Sequence, residues 1–506
     1  MTNVVGVLGY DFDLYRIQPT EPADYESVNP RIDAPEDVNG SLKVAAMNTL
    51  NFFITPDYSS GNPLDNKCGP LQNVECRGHD ANQPDEFTRQ RDKLLAALAG
   101  LDADIIGLNE LENTTGVDPL GDPVNGIVAG LNDLLGAGTY AYIDTGVIGT
   151  DAIRVGLIYK PAKVTPVGDF KIMDSSVDPR FVDTRNRPSL AQTFEEAATG
   201  ARFTVVVNHL KSKGDSGLAF EGNETNPPGI CVDDDPDNDI PDCDQGDGQG
   251  YWNYTRTQAA EALVDWLATD PTGSGDADVI IMGDLNSYAM ENPIDAILSG
   301  GFTNLVKEYQ GKYAYSYVFD GQFGYLDHSL SNASLTPQVT GAADWHINAD
   351  EPDLLDYDTS FKPNEQDAIY EPNAYRSSDH DPVIVGLDLL HYDFSGFFPP
   401  IDDIPVLNAV KAGSAIPVKF SLGGDQGLDI FLAGYPLSRK IACDTNSPLD
   451  DIEQTVTAGG SSLSYDALSD QYTYVWKTNK AWAGTCRQLV VILKDGSIHL
   501  ANFKFK

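Results

Sequence analysis

The amino-acid sequence predicts an α/β domain followed by a smaller all-β domain. Between about residues 41 and 392, apolar runs typical of buried strands alternate with apolar residues at helical spacing, and polar clusters follow the strand-like runs. From residue 393 onward, short alternating strands are separated by Gly, Ser and Asp, as in a small antiparallel β-sandwich. Residues 1–40 combine one or two strands that have no core of their own with a linker rich in Pro, Asp and Glu. We interpret them as the tail of a preceding β domain.

The elements of the α/β domain follow from the spacing of apolar residues. The predicted strands cover residues 42–47, 103–108, 153–159, 203–207 and 278–282. The predicted helices cover residues 86–98, 127–135 and 251–267. Gly100 is expected to end the first helix, because glycine is common just past a helix C-terminus. In the all-β domain the predicted strands cover residues 416–422, 472–477, 489–493 and 498–505.

Polar side chains that can bind a metal ion or transfer a proton follow the predicted strands of the α/β domain. They are amides, carboxylates and two histidines, namely Asn48, Glu110, His209, Asp284, Asn286, Asp327, Asp379 and His380. Hydrolysis of a phosphodiester requires an activated water and neutralised phosphoryl oxygens, which a carboxylate-paired histidine and metal-binding carboxylates can supply. Each residue alone also fits a structural role, as a surface charge, a core histidine or a turn. Their shared placement after strands favours a common site.

The chain is strongly acidic, with 33 Lys and Arg against 76 Asp and Glu and a net charge of −43. Such a charge repels polyanions at long range, so a phosphodiester substrate requires bound metal ions and a local cluster of basic residues. Two interpretations fit the acidity equally well. One is several bound divalent cations; the other is adaptation to high salt, where the Debye length falls to ~3 Å at 1 M.

The six cysteines form three local pairs in the sequence, Cys68 with Cys76, Cys231 with Cys243, and Cys443 with Cys486. Their even number and close spacing favour disulfides, the last of which is expected to join the two sheets of the sandwich, and therefore an extracellular location. A zinc site is the alternative, but the short C-x₂-C spacing and nearby histidines are missing. No signal peptide opens the chain, so we expect the export signal upstream of residue 1. No stretch approaches the ~20 apolar residues of a membrane span.

Residues 231–248 are dense in aspartate, with Gly and Asn between the acidic side chains. Closely spaced oxygen ligands suit calcium, so we expect a structural Ca²⁺ site that includes Asp235, Asp237 and Asp239. The spacing differs from that of an EF-hand loop, and a solvated acidic loop is the alternative.

Several motifs resemble those of the endonuclease/exonuclease/phosphatase superfamily, namely MNTLNFF, DADIIGLNELEN, VVVNHLKSKG, VIIMGDLNSY, GYLDHSL and YRSSDHDPV. The segments CVDDDPDNDIPDC, GDGQGYWNYTRTQAAEAL and DWHINADEPDLLDYD are similar to those of its secreted bacterial extracellular nucleases. The C-terminal GSAIPVKFSLGGDQGLDIF resembles Ig-like accessory domains of secreted bacterial enzymes. The superfamily resemblance covers about residues 41–391 and implies a four-layer α/β/β/α sandwich with Mg²⁺ or Mn²⁺ at the sheet ends.

Carried over residue by residue, the resemblance implies a role for each polar residue. Glu110 would bind the metal with Asn48 beside it, and His209 would contact the scissile phosphate. Asp284 and Asn286 would orient water or metal and the phosphoryl oxygen. Asp327 matches the aspartate after the penultimate strand. Asp379 and His380 match the terminal acid–base pair, and Asp379 would also bind the metal. The residues considered as contacts to the substrate backbone are Arg154, Lys211, Arg256 and Arg376.

The sequence therefore predicts a secreted, metal-dependent nuclease that cleaves DNA, with RNA as a second substrate, and with low sequence preference. One alternative is a phosphoesterase of the same superfamily that acts on phospholipids or small phosphate esters; it should expose a hydrophobic hairpin near the cleft, and no segment clearly qualifies. The other alternative is a non-catalytic surface-binding protein on the same scaffold. The sequence leaves the oligomeric state open.

Overall fold

The computed structural model of the chain describes residues 2–11, 14–26, 30–214, 242–244, 246–360, 364–443, 453–454, 456–457 and 463–506. These residues fall into two units, Met1–Ala34 and Pro35–Lys506. In the part of the chain that is described, no helix is both long enough and apolar enough to cross a membrane.

The first unit contains one antiparallel hairpin. Strand β1 (Gly6–Asp11) pairs with β2 (Leu14–Pro19), with Gly6 opposite Pro19. Its apolar side chains are open to solvent, since Val7 is 63% and Leu8 64% exposed. The strands expected here are confirmed, and they have no core of their own. That they end a larger preceding domain stays a prediction.

Residues 42–387 form two six-stranded sheets with helices on their outer faces. The elements are, in chain order, β3 Leu42–Phe52, α1 Asp85–Leu101, β4 Ile105–Glu112, α2 Ile127–Leu135, β5 Ala141–Tyr142, β6 Ile153–Tyr159, β7 Val164–Met173, β8 Arg187–Glu196, β9 Arg202–His209, α3 Asn253–Leu267, β10 Val279–Asp284, α4 Asn292–Ser299, β11 Phe302–Asn304, α5 Leu305–Gln310, β12 Tyr317–Phe319, β13 Gln322–Gly324, β14 Asp327–Asn332, β15 Val339–Asp344 and β16 Val383–Leu387.

The two sheets pack face to face around a shared apolar core. The first has the strand order β15-β16-β3-β4-β6-β5 and the second β11-β14-β10-β9-β8-β7. Alternate side chains of the inner strands meet between the sheets, for example Val44 and Ile105 with Val207 and Met282. Helices α1 and α2 cover the outer face of the first sheet, and α3 and α4 that of the second. Because both faces of the inner strands are buried, they appear in the sequence as continuous apolar runs.

The end of helix α1 differs from the prediction. The helix continues past Gly100 to Leu101, and Asp102 takes the left-handed conformation that closes it, with φ of +46°. Gly100 has a packing role instead, because a Cβ at this position would lie 2.5 Å from the ring of the buried Trp345. Glycine is required here by the close approach of a tryptophan.

Residues 395–505 form two further sheets of five strands each, which share a core that includes Phe420, Trp476, Val491 and Phe503. Their strands are β17 Ser395–Phe398, β18 Leu407–Val410, β19 Ala415–Ser421, β20 Leu437–Ile441, β21 Glu453–Gln454, β22 Val456–Thr457, β23 Leu463–Asp466, β24 Gln471–Lys477, β25 Cys486–Ile492 and β26 Ile498–Phe505. One pairing departs from the antiparallel expectation, since β18 runs parallel to β26. The assignment to an Ig-like type stays a prediction.

Two of the three expected disulfides lie in the described residues, Cys68–Cys76 and Cys443–Cys486. The expectation that Cys443–Cys486 joins the two sheets of the sandwich is wrong. Cys486 begins β25 and pairs with Ile441 of the neighbouring strand β20, so the bond links adjacent strands of one sheet. Cys231, the expected partner of Cys243, lies outside the described residues.

Buried carboxylates meet where the α/β part contacts the sandwich. The chain around Asp276 pairs with that around Ser497, with hydrogen bonds of 2.8 Å from Ala277 N–H to the carbonyl of Gly496 and of 2.9 Å from Ile498 N–H to that of Gly275. Asp276, Asp278 and Asp495 are buried at this junction. Burial and the Asp495 charge raise the pKa of Asp278 to about 7 and that of Asp276 well above its ordinary value.

This junction makes stability depend on pH. Because the pKa of Asp278 is higher in the folded than in the unfolded chain, the folded state holds more protons between pH 4 and 7, so stability falls as pH rises through that window. Asp278→Asn keeps an acceptor for Gln338 and removes the buried charge. We expect it to raise the free energy of unfolding by about 2–4 kcal/mol above pH 7 and to change little at pH 4. Thermal unfolding across this range checks it; equal effects at both pH values would contradict it.

Candidate metal and acid–base site

The polar clusters that follow the strands meet at one rim of the paired sheets. Strands β3 and β4 are parallel, as are β9 and β10, so their carboxyl ends lie at the same edge of each sheet. Potential ligand atoms of two groups lie within 4.8 Å of one another, Glu110 with His209 and Asp284, and Asp284 with Asp327 and His380. Asp284 belongs to both groups and therefore joins them into one site.

Glu110 is placed by an irregularity in its strand. The pairing of β4 with β6 shifts register between Leu108 and Leu111, and Glu110 has a positive φ of +62°. On β3, Leu50 and Asn51 both have φ of +51°, and the Asn51 N–H donates to Glu110 Oε2 at 2.9 Å. Non-glycine residues adopt this conformation at a cost of order 1–3 kcal/mol, which tertiary contacts must offset. The bulge directs the Glu110 carboxylate into the site.

Two buried asparagines tie the sheets together beneath the carboxylates. Asn109 of the first sheet donates from Nδ2 to the carbonyl of Asn208 at 2.7 Å, and its Oδ1 accepts from the Asp284 N–H at 3.3 Å. Asn48 donates to Asp284 Oδ2 at 3.4 Å. These bonds hold β10 against β3 and β4, so the carboxylates of Glu110 and Asp284 face each other from different sheets.

Asp284 and Asn286 form a tight polar turn at the end of β10. Asp284 Oδ1 accepts from the backbone N–H of Asn286 at 2.8 Å, and Asn286, at φ of +47°, donates from Nδ2 to the carbonyl of Leu210 at 3.1 Å. Burial, together with the charges of Asp327 and Glu110, raises the pKa of Asp284 to about 7. The turn therefore holds a carboxylate whose charge is costly unless a cation lies beside it.

His380 pairs with an aspartate from the other sheet. Its Nδ1 lies 2.7 Å from Asp327 Oδ2, and that oxygen also accepts from Ser316 Oγ at 2.7 Å. Burial alone would lower the pKa of His380, but the nearby carboxylates of Asp327, Asp379 and Asp284 together raise it well above its ordinary value. A carboxylate on Nδ1 fixes the proton there and leaves Nε2 as the basic nitrogen.

The aspartates that flank His380 in the sequence have other contacts. Asp381 accepts three backbone N–H bonds of 2.7–3.0 Å from residues 347–349 and pairs with His346 Nδ1 at 2.9 Å. Asp379 is half-buried. The pKa of Glu110 is raised mainly by burial and further by the Asp379 charge. Asp327, and neither of the two aspartates that adjoin His380 in the sequence, therefore holds the His380 ring.

His209 lies opposite His380 across the site. Its Nε2 is 3.4 Å from Asp284 Oδ2, 3.9 Å from Glu110 Oε1 and 3.5 Å from Arg187 Nη1. Burial and the Arg187 charge lower the pKa of His209 well below its ordinary value. A neutral imidazole beside a guanidinium can hydrogen-bond a phosphoryl oxygen without carrying charge itself.

A model of the Endonuclease/Exonuclease/phosphatase family matches residues 72–380. The chain belongs to this family. The match includes every residue of the two clusters, from Glu110 to His380. No protein of curated function matches the chain.

Several solved structures are similar to this one over about two thirds of the chain. An endonuclease/exonuclease/phosphatase family protein from Bacteroides thetaiotaomicron is 16% identical, with 68% of this chain and 96% of that one covered and a TM-score of 0.39. D. rerio TDP2, solved with a single-strand DNA product, is 13% identical with 68% and 97% covered and a TM-score of 0.38. Staphylococcus aureus beta toxin, solved with bound magnesium ions, is 12% identical with 69% and 99% covered and a TM-score of 0.36.

The donor set of this family member fits a hard divalent cation. The predicted ligands Asn48, Glu110 and Asp379 offer oxygen atoms, which Mg²⁺ and Mn²⁺ prefer. Glu110 and Asp284 both have raised pKa values caused by burial and by neighbouring carboxylates, so a cation would relieve their repulsion. The predicted calcium ligands Asp235, Asp237 and Asp239 lie outside the described residues, so calcium binding there stays a prediction.

Two of the four arginines and lysines predicted to contact the substrate backbone are buried instead. Arg154 is 4% exposed and lies 3.6 Å from Asp118, with a hydrogen bond to Thr145. Arg256 has no exposed surface, and its guanidinium donates to the carbonyls of Lys211, Gln249 and Tyr251 and to Ser287 Oγ. Arg256 therefore organises the loops around the site, since its N–H groups already have partners within the protein.

The other two predicted contacts remain partly accessible. Lys211 follows His209, bonds Ser212 Oγ at 2.8 Å, and has its pKa lowered to about 8 by burial and by Arg187. Arg376 has φ of +56° and donates from Nη1 to the carbonyl of Asn348 at 2.8 Å. The Lys211 charge helps to lower the pKa of His209, after burial and the Arg187 charge.

The sequence reasoning did not find Arg187, Ser316 or Tyr317. Tyr317 packs its ring 4.5 Å from that of His380, and burial and the Asp379 charge raise its pKa to about 12. It begins the β12–β13 hairpin, on which Phe319 is 60% and Phe323 61% exposed. The expectation that no hydrophobic hairpin lies near the cleft is therefore wrong. Its strands, three residues each, are too short to give a periodic signal.

Proposed function

We propose that this protein is a secreted, metal-dependent nuclease that hydrolyses phosphodiester bonds of DNA with low sequence preference, with RNA as a second substrate. The observation that carries the proposal is the meeting of two histidines and three carboxylates at one rim of the sheets, namely Glu110, His209, Asp284, Asp327 and His380. A binding module has no chemical need for this whole set.

The residues divide the chemistry between them. His380, held at Nδ1 by Asp327, would accept a proton from the attacking water at Nε2 once a bound cation offsets the carboxylate charges that raise its pKa. Neutral His209 is placed to hydrogen-bond a phosphoryl oxygen. The amide of Asn286 already donates to the Leu210 carbonyl and to Asp284 Oδ2, so Asn286 holds the turn that carries Asp284. A divalent cation held by Asn48, Glu110 and Asp379 would supply the charge that neutralises those oxygens.

A phosphate-bearing substrate is supported by local basic residues in an acidic protein. The Arg187, Lys211 and Arg77 side chains are close enough to lower the pKa of His209, after burial, although the whole chain carries −43. Arg77 and Arg187 both pair with Asp151, at 3.1 Å and 3.0 Å, so they are fixed in place. They offer a positive patch beside the site where a phosphodiester backbone can lie.

Secretion is supported by the disulfides Cys68–Cys76 and Cys443–Cys486, because such bonds persist in oxidising compartments. The sandwich of residues 395–505 is proposed to be an Ig-like accessory domain. Calcium is proposed as a second, structural cation.

The test compares three substrates in one set of reactions. Supercoiled plasmid, phosphatidylcholine vesicles and a nucleoside monophosphate are each incubated with the protein and Mg²⁺, with and without EDTA. We expect nicking of the plasmid that EDTA abolishes, with little release from the other two. A phospholipase-type activity is the second candidate, favoured by the exposed Phe319 and Phe323 beside the site. Release from vesicles alone would establish it, and turnover of none would indicate a binding protein.

The contrasting positions of Arg256 and Lys211 give a matched prediction. Arg256→Lys cannot replace the buried guanidinium bonds, so we expect the free energy of unfolding to fall by about 2–4 kcal/mol while the salt dependence of DNA binding is unchanged. Lys211→Ala should leave stability nearly unchanged and reduce the slope of log K against log salt by about 1. Chemical denaturation and DNA binding at several salt concentrations measure both. If Arg256→Lys also reduces the slope of log K against log salt, Arg256 contacts a phosphate of the substrate.

A further inference from the structure

The β12–β13 hairpin continues the active-site wall away from His380. Tyr317 begins it, with its ring against His380, and Tyr288 packs beneath it, since a Cβ on Gly324 would lie 2.7 Å from the Tyr288 ring. The Lys213 ammonium lies 5.2 Å from the centre of the Tyr288 ring. An aromatic surface therefore begins at the catalytic histidine, and it is bordered by a lysine that is paired with Glu291.

The pairing of the two short strands decides which aromatic side chains share a face. Tyr317 lies opposite Gly324, and Val318 opposite Phe323. Because side chains alternate along a strand, Phe319 points to the same face as Tyr317, and Phe323 points to the other face. Phe323 packs edge-on against Tyr315, with ring centres 5.1 Å apart. Phe319 lies two residues, about 6–7 Å, beyond Tyr317.

We propose that Tyr317 and Phe319 form a stacking site for unpaired nucleobases next to the scissile phosphate, so that the enzyme prefers single-stranded or locally opened nucleic acid. This inference rests on the proposed nuclease function. Phe319 is 60% exposed, so its ring is open to a flat partner. Stacking on an aromatic side chain accepts any base, which agrees with low sequence preference. Paired bases in a duplex have their faces covered and cannot use this surface.

The tip of the hairpin argues against a lipid bilayer as the occupant. Asp320 and Gly321 form the turn, and they are exposed together with Gln322, the first residue of β13. On insertion they would enter the hydrocarbon first, where a charged side chain costs several kcal/mol, about 2.5–3.5 for Asp on insertion scales. The exposed aromatic rings lie on the sides of the hairpin, where bases can stack on them. They could contact the interior of a bilayer only after the polar tip had been inserted.

The experiment compares two phenylalanines of equal exposure on opposite faces. Binding of a labelled single-stranded oligonucleotide, and of the same sequence as a duplex, is measured by fluorescence anisotropy in EDTA, which prevents turnover. Phe319→Ala is expected to raise Kd for the single strand by about 5- to 100-fold and to change duplex binding much less. Phe319→Trp should keep the affinity, and Phe323→Ala should keep both affinities.

Each remaining outcome has a separate meaning. Equal single-strand affinity of Phe319→Ala and the wild type would overturn the stacking site while plasmid nicking still supports a nuclease. A similar loss for Phe323→Ala would also overturn it, because the effect would not depend on the face. If the wild type binds phosphatidylcholine vesicles and Phe319→Ala does not, the hairpin is a membrane contact. Failure of the wild type to nick plasmid would instead remove the proposed function.

Discussion

Replacing His380 with alanine is expected to lower turnover of DNA by about 10²–10⁴-fold while the protein stays folded. The reason is the 2.7 Å hydrogen bond between His380 Nδ1 and Asp327 Oδ2, which places the basic nitrogen at the site rim. The initial rate on plasmid at saturating Mg²⁺ measures the loss, and circular dichroism with thermal unfolding checks the fold.

Asp327→Asn provides the test of the pairing itself. Because the two residues act as a unit, the double variant His380→Ala with Asp327→Asn should be no slower than the worse of the single variants. His346→Ala is the matched control, since His346 pairs with Asp381 and that carboxylate keeps three backbone N–H bonds without it. Near-normal turnover by folded His380→Ala, or a large loss in His346→Ala alone, would assign the base to another residue.

The order of the central elements could be predicted because the inner strands β3, β4, β6, β9 and β10 are apolar on both faces. The strands β7 and β8 and the helices α4 and α5 were not predicted. The α2 boundaries, Ile127–Leu135, were predicted to the residue, and the polar ends of β3, β4, β9 and β10 do converge. The rule that the carboxyl ends of parallel strands meet at one edge is local to each sheet. It therefore indicates which residues gather at the end of each sheet, and their meeting in one site depends on the packing of one sheet on the other.

The partners of His380 and Arg256 show what the sequence could not give. His380 takes its carboxylate from β14 of the opposite sheet, 53 residues away in the chain, although two aspartates adjoin it. Side-chain direction at a turn depends on backbone torsions that residue types do not specify. Arg256 lies on an amphipathic helix, where an arginine would ordinarily be solvated, and only its contacts with three loop carbonyls explain its complete burial.

Replacing Glu110 with glutamine is expected to weaken Mg²⁺ binding much more than it perturbs the fold. Glutamine keeps an oxygen that can accept from the Asn51 N–H, so the bulge of β4 should persist. The lost charge belongs to a carboxylate whose pKa is raised by burial and by Asp379, which indicates an electrostatic field that attracts a cation. We expect the Mg²⁺ concentration for half-maximal activity to rise about 10–100-fold. Titration of plasmid nicking with Mg²⁺ measures it.

A second readout separates metal binding from catalysis. A ligand that binds only the folded state raises the midpoint of thermal unfolding in proportion to ln(1 + [L]/Kd), so Mg²⁺ should stabilise the wild type and stabilise Glu110→Gln much less. Glu112→Gln is the matched control on the same strand. Glu112 is fully buried and accepts from the N–H groups of Ile54 and Thr55 at 2.8 Å and 3.0 Å. Its variant should lose stability but keep the Mg²⁺ dependence. If Glu110→Gln responds to Mg²⁺ as the wild type does, Glu110 only anchors the backbone of β3, and the cation must be held by Asp284 and Asp379 instead.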